Sequence, residues 1–260
     1  MGTETLHIWV GTDKWQQRAG AERVLEHSTR KRATCDVQFH WMRAGDPDWP
    51  VSEYGIPDGS WKLGRPVDLA WPKQGWGTPF SGFRFAVPEM MAFTGRAVYF
   101  DADMLVLGDV AELLRFPMTT GYTACHSKRT DVSVIDCEWF RGKSWWPSVR
   151  QMKPSGWRVF EYLKLLLPRH GIADTLPWCW NDCDGEMYGK YPSSVKLVHY
   201  TGVPDQPYRP YPSVKYKKKF PYCAQEKAGI LWWNNFREAL TKEHGEERAA
   251  EIVLEAMAPA

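Results

Sequence analysis

The sequence lacks the patterns of a disulfide framework, a zinc site and a membrane span. It contains no CxxC pair, and after Cys179 and Cys183 no second Cys or His pair follows at zinc-site spacing. It also lacks a run of roughly 18 apolar residues, the length that crosses a membrane. Met1–Thr5 leads directly into a short apolar run, which is no signal peptide. We therefore expect free thiols and a cytoplasmic protein.

An excess of charge of one sign is lacking as well. The 33 Lys and Arg residues nearly balance the 31 Asp and Glu residues, and the net charge is +2. This balance argues against nucleic acid as a main partner. The local exception is the basic and aromatic segment Lys215–Lys219. A solvated loop is the simpler interpretation of this segment. The alternatives are a weak peripheral contact with an anionic membrane surface and a contact with the donor phosphates.

Tryptophan is the residue present in excess, with 15 copies in 260 residues. Hydrophobic residues make up 43% of the chain and charged residues 25%, which are ordinary values for a globular protein. A chain of this length can bury a sizeable core and still carry a deep cleft. Indole rings suit the apolar faces of sugars, so the composition gives a weak indication of a carbohydrate ligand.

The N-terminal segment follows a strand–helix–strand pattern. Leu6–Val10 predicts a buried strand, Gln16–Ser28 an amphipathic helix, and the alternating segment Cys35–Met42 a second strand. This order implies a parallel sheet with a right-handed crossover. Further strands are expected at Ala97–Phe100 and Val195–His199, so the expected class is α/β with a mostly parallel central sheet flanked by helices.

Two helical regions are expected outside this pattern. Phe83–Phe93 predicts a helix, although Pro88 lies near its middle. The chain then closes with two helices from about Ala224 to Ala256.

The strongest local signal lies where the strand Ala97–Phe100 ends. Asp101 and Asp103 follow it, separated by one small residue, and a second apolar run begins at Met104. Ligands of open α/β sheets bind beyond the carboxyl ends of strands. Two carboxylates there repel each other unless a cation offsets their charge. The pattern predicts a divalent-ion site completed by substrate phosphate oxygens, with a solvated polar turn as the alternative.

A second signal ends the strand Val195–His199. An imidazole at the carboxyl end of a strand can face the same crevice as Asp101 and Asp103, and neutral imidazole is a good ligand for ions of the Mn²⁺ class. Gly202 follows closely and would let a phosphate approach the backbone. Alone, His199 fits a hydrogen-bonded structural residue equally well. Combined with the two carboxylates, it predicts a mixed Asp/His metal site.

These segments together resemble glycosyltransferase family 8, the group that includes glycogenin and bacterial lipopolysaccharide hexosyltransferases. The resemblance runs from residue 6 to about residue 212 and lies in the order and spacing of several motifs. They are Gly11-Thr12-Asp13, Ser81-Gly82-Phe83-Arg84, Tyr99-Phe100-Asp101-Ala102-Asp103, Leu176-Pro177-Trp178-Cys179-Trp180-Asn181, His199-Tyr200-Thr201-Gly202 and Gln206-Pro207-Tyr208. Gln206 stands near the slot where the family has a lysine that contacts the diphosphate.

The resemblance implies a GT-A fold, with residues 1–222 as a nucleotide-sugar-binding catalytic domain and residues 223–260 as a helical extension packed on it. It implies retaining transfer of a hexose from a UDP-sugar to a saccharide or other hydroxyl acceptor. Mn²⁺ is the expected ion and Mg²⁺ the alternative. Asp101, Asp103 and His199 would ligate it.

The resemblance also implies residues that surround the donor and the acceptor. The expected donor-binding set is Gly11, Thr12, Asp13, Trp15, Arg84, Ala102, Gly202 and Gln206, with Trp15 against the base. The set expected to act in catalysis is Arg84, Asp103, Asp131 and Asn181. Arg84 would hold donor oxygens, while Asp131 and Asn181 would contact donor or acceptor hydroxyls.

Two other functions remain open from the residues alone. A nucleotidyltransferase also uses carboxylates at strand ends with a divalent ion, but it favours a Gly-rich basic phosphate loop, and the segment Gly11-Thr12-Asp13-Lys14 is a poor version of one. A non-catalytic carbohydrate-binding module would use the many tryptophans. That function gives no reason for His199 and the two carboxylates to converge.

Overall fold

A computed structural model describes residues 4–13, 17, 20–44, 82–125, 129–146, 174–201, 206–208 and 222–257. Trp15, Gly202 and Lys215–Lys219 lie outside these ranges, so the roles expected for them stay predictions. Within the described ranges, no helix is both long and apolar enough to cross a membrane.

The chain forms two compact units, each built from three segments. The first unit comprises Met1–Lys14, Cys35–Asp101 and Ala111–Leu176, and the second comprises Trp15–Thr34, Ala102–Val110 and Pro177–Ala260. The chain leaves the first unit after Asp101, within the Asp-x-Asp motif. The expected boundary between residues 222 and 223 stays a prediction.

The first unit contains a four-stranded sheet. Its strands are β1 (Thr5–Asp13), β2 (Asp36–Ala44), β3 (Arg96–Asp101) and β6 (Val132–Asp136), in the spatial order β2-β1-β3-β6. β1 pairs in parallel with β2 and β3, and β6 pairs antiparallel with β3. The expected α/β class with a mostly parallel sheet is confirmed.

β1 is longer than the sequence predicted. Trp9 and Val10 point to opposite faces of the sheet and are 4% and 0% exposed, so both faces of the strand are covered. The strand continues through Gly11–Asp13, so the predicted end at Val10 is wrong. The reason is the length of β2, which pairs with β1 as far as Ala44 and so satisfies the backbone of these residues.

Short strands complete the two units. β5 (Thr123–Cys125) and β7 (Asp174–Leu176) form a parallel pair in the first unit. β4 (Met104–Val106), β8 (Asp182–Cys183) and β9 (Leu197–His199) form a sheet of order β4-β9-β8 in the second unit. β9 pairs antiparallel with β4 and parallel with β8.

The described helices differ in length between the units. The first unit has the short helices α2 (Val87–Met90) and α3 (Ala111–Leu114). The second unit has α1 (Ala21–Arg30), α4 (Glu186–Lys190), α5 (Tyr222–His244) and α6 (Glu246–Met257). The two expected C-terminal helices are therefore confirmed, and Gly245, with φ of 83°, separates them.

The helix predicted over Phe83–Phe93 is wrong in its extent. The chain forms a 3-10 helix at Phe83–Phe85 and then begins α2. Pro88 lies in the first turn of α2, where a missing N–H costs no hydrogen bond, so the proline starts a second helix instead of interrupting a longer one. Ala92 and Phe93 then adopt positive φ angles of 50° and 55°, which no α-helix continues.

Aromatic side chains supply much of the packing in each unit. In the first unit, Phe140 contacts Trp146 with ring centroids 4.2 Å apart, and both side chains are buried. In the second unit, Trp232 and Phe236 of α5 stack at 5.1 Å and pack with Val24 of α1. These tryptophans are core residues, so the high tryptophan content reflects packing as well as any sugar contact.

Candidate metal-binding site

Arg84 links two carboxylates of the first unit. Phe100 and Val132 are the last register pair of the antiparallel strands β3 and β6. Asp101 and Asp131 therefore stand at adjoining strand ends. Arg84 donates from Nη2 to Asp101 Oδ1 and from Nη1 to Asp131 Oδ1, both at 2.9 Å. The guanidinium offsets the repulsion between these two acidic side chains.

Arg84 stays positively charged although its side chain is buried. The Arg84 side chain is 6% exposed. Burial by itself lowers the pKa of Arg84, but Asp101, Tyr99 and Asp131 raise it well above its ordinary value. Tyr99 donates its hydroxyl to Asp101 Oδ1 at 2.8 Å, and burial raises the pKa of Tyr99, with Asp101 adding to the effect. Binding of donor oxygens by Arg84 stays a prediction.

Asp103 and His199 approach each other in the second unit. The antiparallel strands β4 and β9 pair Met104 with His199, and the backbone N–H of Tyr200 donates to the Asp103 carbonyl oxygen at 2.9 Å. This register brings Asp103 to the end of β9. His199 Nε2 lies 3.2 Å from Asp103 Oδ1, and the two side chains are 4% and 15% exposed.

Two amide side chains contact this pair. Asn181 Oδ1 lies 2.9 Å from His199 Nδ1. Gln206 Nε2 donates to Asp103 Oδ2 at 2.7 Å and to the Tyr200 carbonyl oxygen at 2.9 Å. Asn181 is fully buried and Gln206 is 3% exposed. The donor and acceptor contacts expected of these two residues stay predictions.

The three predicted metal ligands meet the geometric condition for a shared ion. Asp101, Asp103 and His199 each offer one ligand atom, and these atoms all lie within 4.8 Å of one another. Carboxylate oxygens and an imidazole nitrogen form a donor set that suits Mn²⁺. The three residues therefore form a candidate site for a metal ion, and Mn²⁺ as that ion stays a prediction.

The residues predicted to bind the nucleotide-sugar donor are neighbours of the candidate metal ligands, either in the chain or in the sheet. Gly11 is the parallel register partner of Asp101, and Thr12 beside it is fully buried. Asp13 ends β1. Ala102, between the two carboxylates, is 1% exposed. Donor contacts by these residues stay predictions.

Asp182 has a structural role that the sequence did not indicate. Its two carboxylate oxygens accept hydrogen bonds from the backbone N–H groups of Met187 at 2.9 Å and Tyr188 at 2.8 Å. Burial raises the pKa of Asp182, although these two donors oppose the rise. The side chain thus satisfies two N–H groups that the start of α4 leaves without partners in the helix.

The fold is similar to that of solved glycosyltransferases. Glycosyltransferase GlyE of Streptococcus pneumoniae aligns with TM-score 0.56 and 14% identity over 98% of this chain and 64% of GlyE. The bifunctional glycosyltransferase WbbM aligns with TM-score 0.57 and 12% identity over 96% of this chain and 52% of WbbM. Galactosyltransferase LgtC, solved with donor and acceptor sugar analogs, aligns with TM-score 0.53 and 12% identity over 99% of this chain and 98% of LgtC. These likenesses confirm the GT-A fold.

The chain spans 64% of the length of GlyE and 52% of the length of WbbM. No family model matches this chain, and no curated protein matches it significantly. Structural likeness at such low sequence identity establishes the fold and leaves the chemistry to the site residues.

Proposed function

We propose that this protein is a retaining glycosyltransferase that moves a hexose from a UDP-sugar to a saccharide or other hydroxyl acceptor, with Mn²⁺ held by Asp101, Asp103 and His199. The observation that carries the proposal is the 3.2 Å approach of His199 Nε2 to Asp103 Oδ1 in a chain with a GT-A fold. A neutral imidazole nitrogen with a lone pair and a carboxylate oxygen repel each other at this distance unless a proton or a cation lies between them.

The chemistry of the proposed ion is electrostatic. When bound by these three residues, a divalent ion supplies positive charge where negative charge develops on the diphosphate leaving group, which stabilises the transition state more than the ground state. The partial exposure of the two carboxylates, 14% for Asp101 and 15% for Asp103, supports a site that substrate phosphate oxygens complete.

The protein's own groups would orient the reacting parts. Arg84 and Tyr99 fix the Asp101 carboxylate in one orientation through hydrogen bonds of 2.9 and 2.8 Å. Asp131, held by the same guanidinium, would accept hydrogen bonds from donor or acceptor hydroxyls. Gly11 and Thr12 would contact the nucleoside because their strand runs beside Asp101. No side chain is assigned as a nucleophile.

The proposal is tested with a panel of nucleotide sugars and Mn²⁺, with hydrolysis or transfer followed by release of the nucleotide. We expect turnover of a UDP-sugar that chelation of the ion abolishes. Asp103→Asn and His199→Ala should each lower the rate by ~100-fold or more, since each removes a group that stabilises developing charge. Retention is checked by the anomeric configuration of the product.

The matched control is Asp136→Asn, at the opposite end of β6, where the carboxylate accepts a hydrogen bond from Trp139 N–H at 3.3 Å. This variant should keep its donor turnover. Full turnover in Asp103→Asn would contradict the proposal. Turnover of UTP with a sugar 1-phosphate would identify a nucleotidyltransferase. Oligosaccharide binding without turnover of any nucleotide sugar would identify a binding module.

A further inference from the structure

Two buried amide side chains each hold one member of the Asp103–His199 pair. Asn181 contacts the imidazole on the nitrogen that faces away from Asp103, and Gln206 contacts the carboxylate oxygen that faces away from His199. His199 therefore directs Nε2 at Asp103, and its Nδ1 contacts Asn181. Asp103 directs Oδ1 at His199, and its Oδ2 contacts Gln206. The arrangement is built entirely from residues of the second unit.

The contact with Asn181 decides which nitrogen of His199 carries the proton. Asn181 Oδ1 can only accept, so His199 Nδ1, 2.9 Å away, must be the donor. In the neutral imidazole, Nε2 then carries the lone pair, and it lies 3.2 Å from Asp103 Oδ1. A nitrogen with a free lone pair is the form that binds a metal ion.

The chain path explains why Asn181 reaches this nitrogen. The parallel strands β8 and β9 pair Cys183 with His199, and Asn181 lies two residues before Cys183. The backbone N–H of Asn181 donates to the Trp178 carbonyl oxygen at 3.0 Å, closing the turn that precedes β8. Both the sheet register and this turn therefore determine where the amide lies.

The contact with Gln206 fixes the rotamer of Asp103. The two hydrogens of one NH₂ group are used at once, on Asp103 Oδ2 at 2.7 Å and on the Tyr200 carbonyl oxygen at 2.9 Å. Tyr200 is itself anchored, because its hydroxyl donates to the Ala228 carbonyl oxygen of α5 at 2.7 Å. With Oδ2 held in this way, Oδ1 is the oxygen that faces His199.

We propose that Asn181 and Gln206 are positioning residues for a divalent ion, with Asn181 setting the tautomer of His199 and Gln206 setting the rotamer of Asp103. The inference rests on the proposed function, since it concerns the same ion. It differs from the roles that the sequence suggested, in which Asn181 contacted sugar hydroxyls and Gln206 contacted the diphosphate. Partners that hold metal ligands in this way typically change metal affinity by ~10–100-fold when they are lost.

The first test measures binding of Mn²⁺ alone to the full chain without a nucleotide sugar, by the electron paramagnetic resonance signal of free Mn²⁺. Asn181→Leu and Gln206→Met keep the size of each side chain but remove its polar contact. We expect each to weaken Mn²⁺ binding by ~10–100-fold. The matched control is Asn235→Leu, which removes a buried amide of α5 that donates to the Leu231 carbonyl oxygen at 2.9 Å. This control should bind Mn²⁺ as the wild type does.

The second test follows the His199 ring in metal-free protein by ¹⁵N nuclear magnetic resonance of labelled histidine, with His199→Gln to assign the signal. The wild type should carry a proton on Nδ1. Asn181→Asp retains an acceptor and should keep this tautomer, whereas Asn181→Leu should lose it. A wild-type ring without a proton on Nδ1, or an unchanged Nδ1 proton in Asn181→Leu, would overturn the role of Asn181 whether or not metal binds.

The two tests separate failure of this inference from failure of the proposed function. Measurable Mn²⁺ binding by the wild type that both amide substitutions leave unchanged overturns the positioning roles and leaves the proposed function intact. Absence of Mn²⁺ binding in the wild type, both without and with UDP, overturns the proposed ion site itself. Equal weakening in Asn181→Leu, Gln206→Met and Asn235→Leu would mean a general loss of folding, and this outcome also overturns the inference.

Discussion

Asp101 and Asp131 stand at adjoining ends of two antiparallel strands, and the same guanidinium binds both carboxylates. Each carboxylate accepts a hydrogen bond from a different nitrogen of Arg84 at 2.9 Å. Arg129 adds a second cation, with its Nε donating to Asp131 Oδ2 at 2.7 Å. The arrangement makes the stability of the first unit depend on a buried charge as well as on apolar packing.

Replacing Arg84 should destabilise the protein strongly. Arg84→Met removes the guanidinium that Asp101 and Asp131 share, and the loss of one partner from a buried ion pair costs ~3–5 kcal/mol. Arg84→Lys keeps the charge, but one ammonium group lacks the planar fork that reaches both carboxylates, so we expect an intermediate loss. The measurement is the free energy of unfolding in urea. Equal stability of Arg84→Met and the wild type would contradict this assignment.

The two carboxylates of the Asp-x-Asp motif should give different defects when each is changed to asparagine. Asp101→Asn weakens the pairing with Arg84 and should lower the free energy of unfolding. Within the described part of the chain Asp103 pairs with His199 and with no arginine, so Asp103→Asn should lower Mn²⁺ affinity with a much smaller effect on stability. Urea unfolding and Mn²⁺ titration of both variants check this separation, and a large stability loss in Asp103→Asn would refute it.

Gly20→Ala should destabilise the second unit more than Gly245→Ala. Both glycines have φ of 83°, so both substitutions strain the backbone, by ~1–2 kcal/mol. A Cβ at Gly20 would lie 2.4 Å from Phe236 Cε2, whereas nothing lies within 4 Å of a Cβ at Gly245. Overpacking adds ~1–3 kcal/mol at Gly20 alone. Thermal or urea unfolding measures the difference.

A double substitution tests the cause of that difference. Phe236→Leu removes the ring edge that the new methyl group would strike. Adding Phe236→Leu to Gly20→Ala should therefore cost less than Phe236→Leu costs alone. Strict additivity of the two free-energy changes would mean that the ring is not the source of the strain.

Protonation of His40 should lower stability in mildly acidic solution. His40 stacks on Trp9 at 4.2 Å, and burial, with a smaller effect of His7, lowers its pKa from 6.5 to about 4. Between these two pH values the unfolded chain binds a proton that the folded chain does not. The free energy of unfolding should therefore fall as the pH falls through this window.

The control for this pH dependence is His40→Gln. Carboxylates also titrate near the lower end of the window, so the informative quantity is the difference in slope between the two proteins. His40→Gln should lose less stability than the wild type on acidification from pH 6.5. Parallel pH profiles would show that His40 does not contribute.

The sequence predicted those parts of the molecule that depend on local pattern. Buried strands on either side of Asp101 and before His199 are apolar runs that end in polar residues, and the structure has strands at both places. The approach of His199 to the two carboxylates was predicted because ligands of α/β sheets gather at the carboxyl ends of strands. Pro88 was misjudged because a proline in the first turn of a helix and one in its middle look alike in a sequence.

The partners of the site residues could not be predicted in the same way. Arg84 meets Asp131 through the register of β3 and β6, and Asn181 meets His199 through the register of β8 and β9. Register depends on pairing between distant segments, which no local pattern specifies. β8 has only two residues, too few for any periodic signal.

The ion pairs around Asp101 have a consequence for the order in which ligands bind. Two arginines, Arg84 and Arg129, face two carboxylates, Asp101 and Asp131, so these four formal charges sum to zero. Asp103 then adds one further negative charge beside the His199 imidazole. A doubly charged cation would keep about one positive charge in such a shell, and an anionic nucleotide would neutralise it. Free Mn²⁺ should accordingly bind weakly and bind tighter once UDP is present, so each of these two ligands should raise the affinity of the protein for the other.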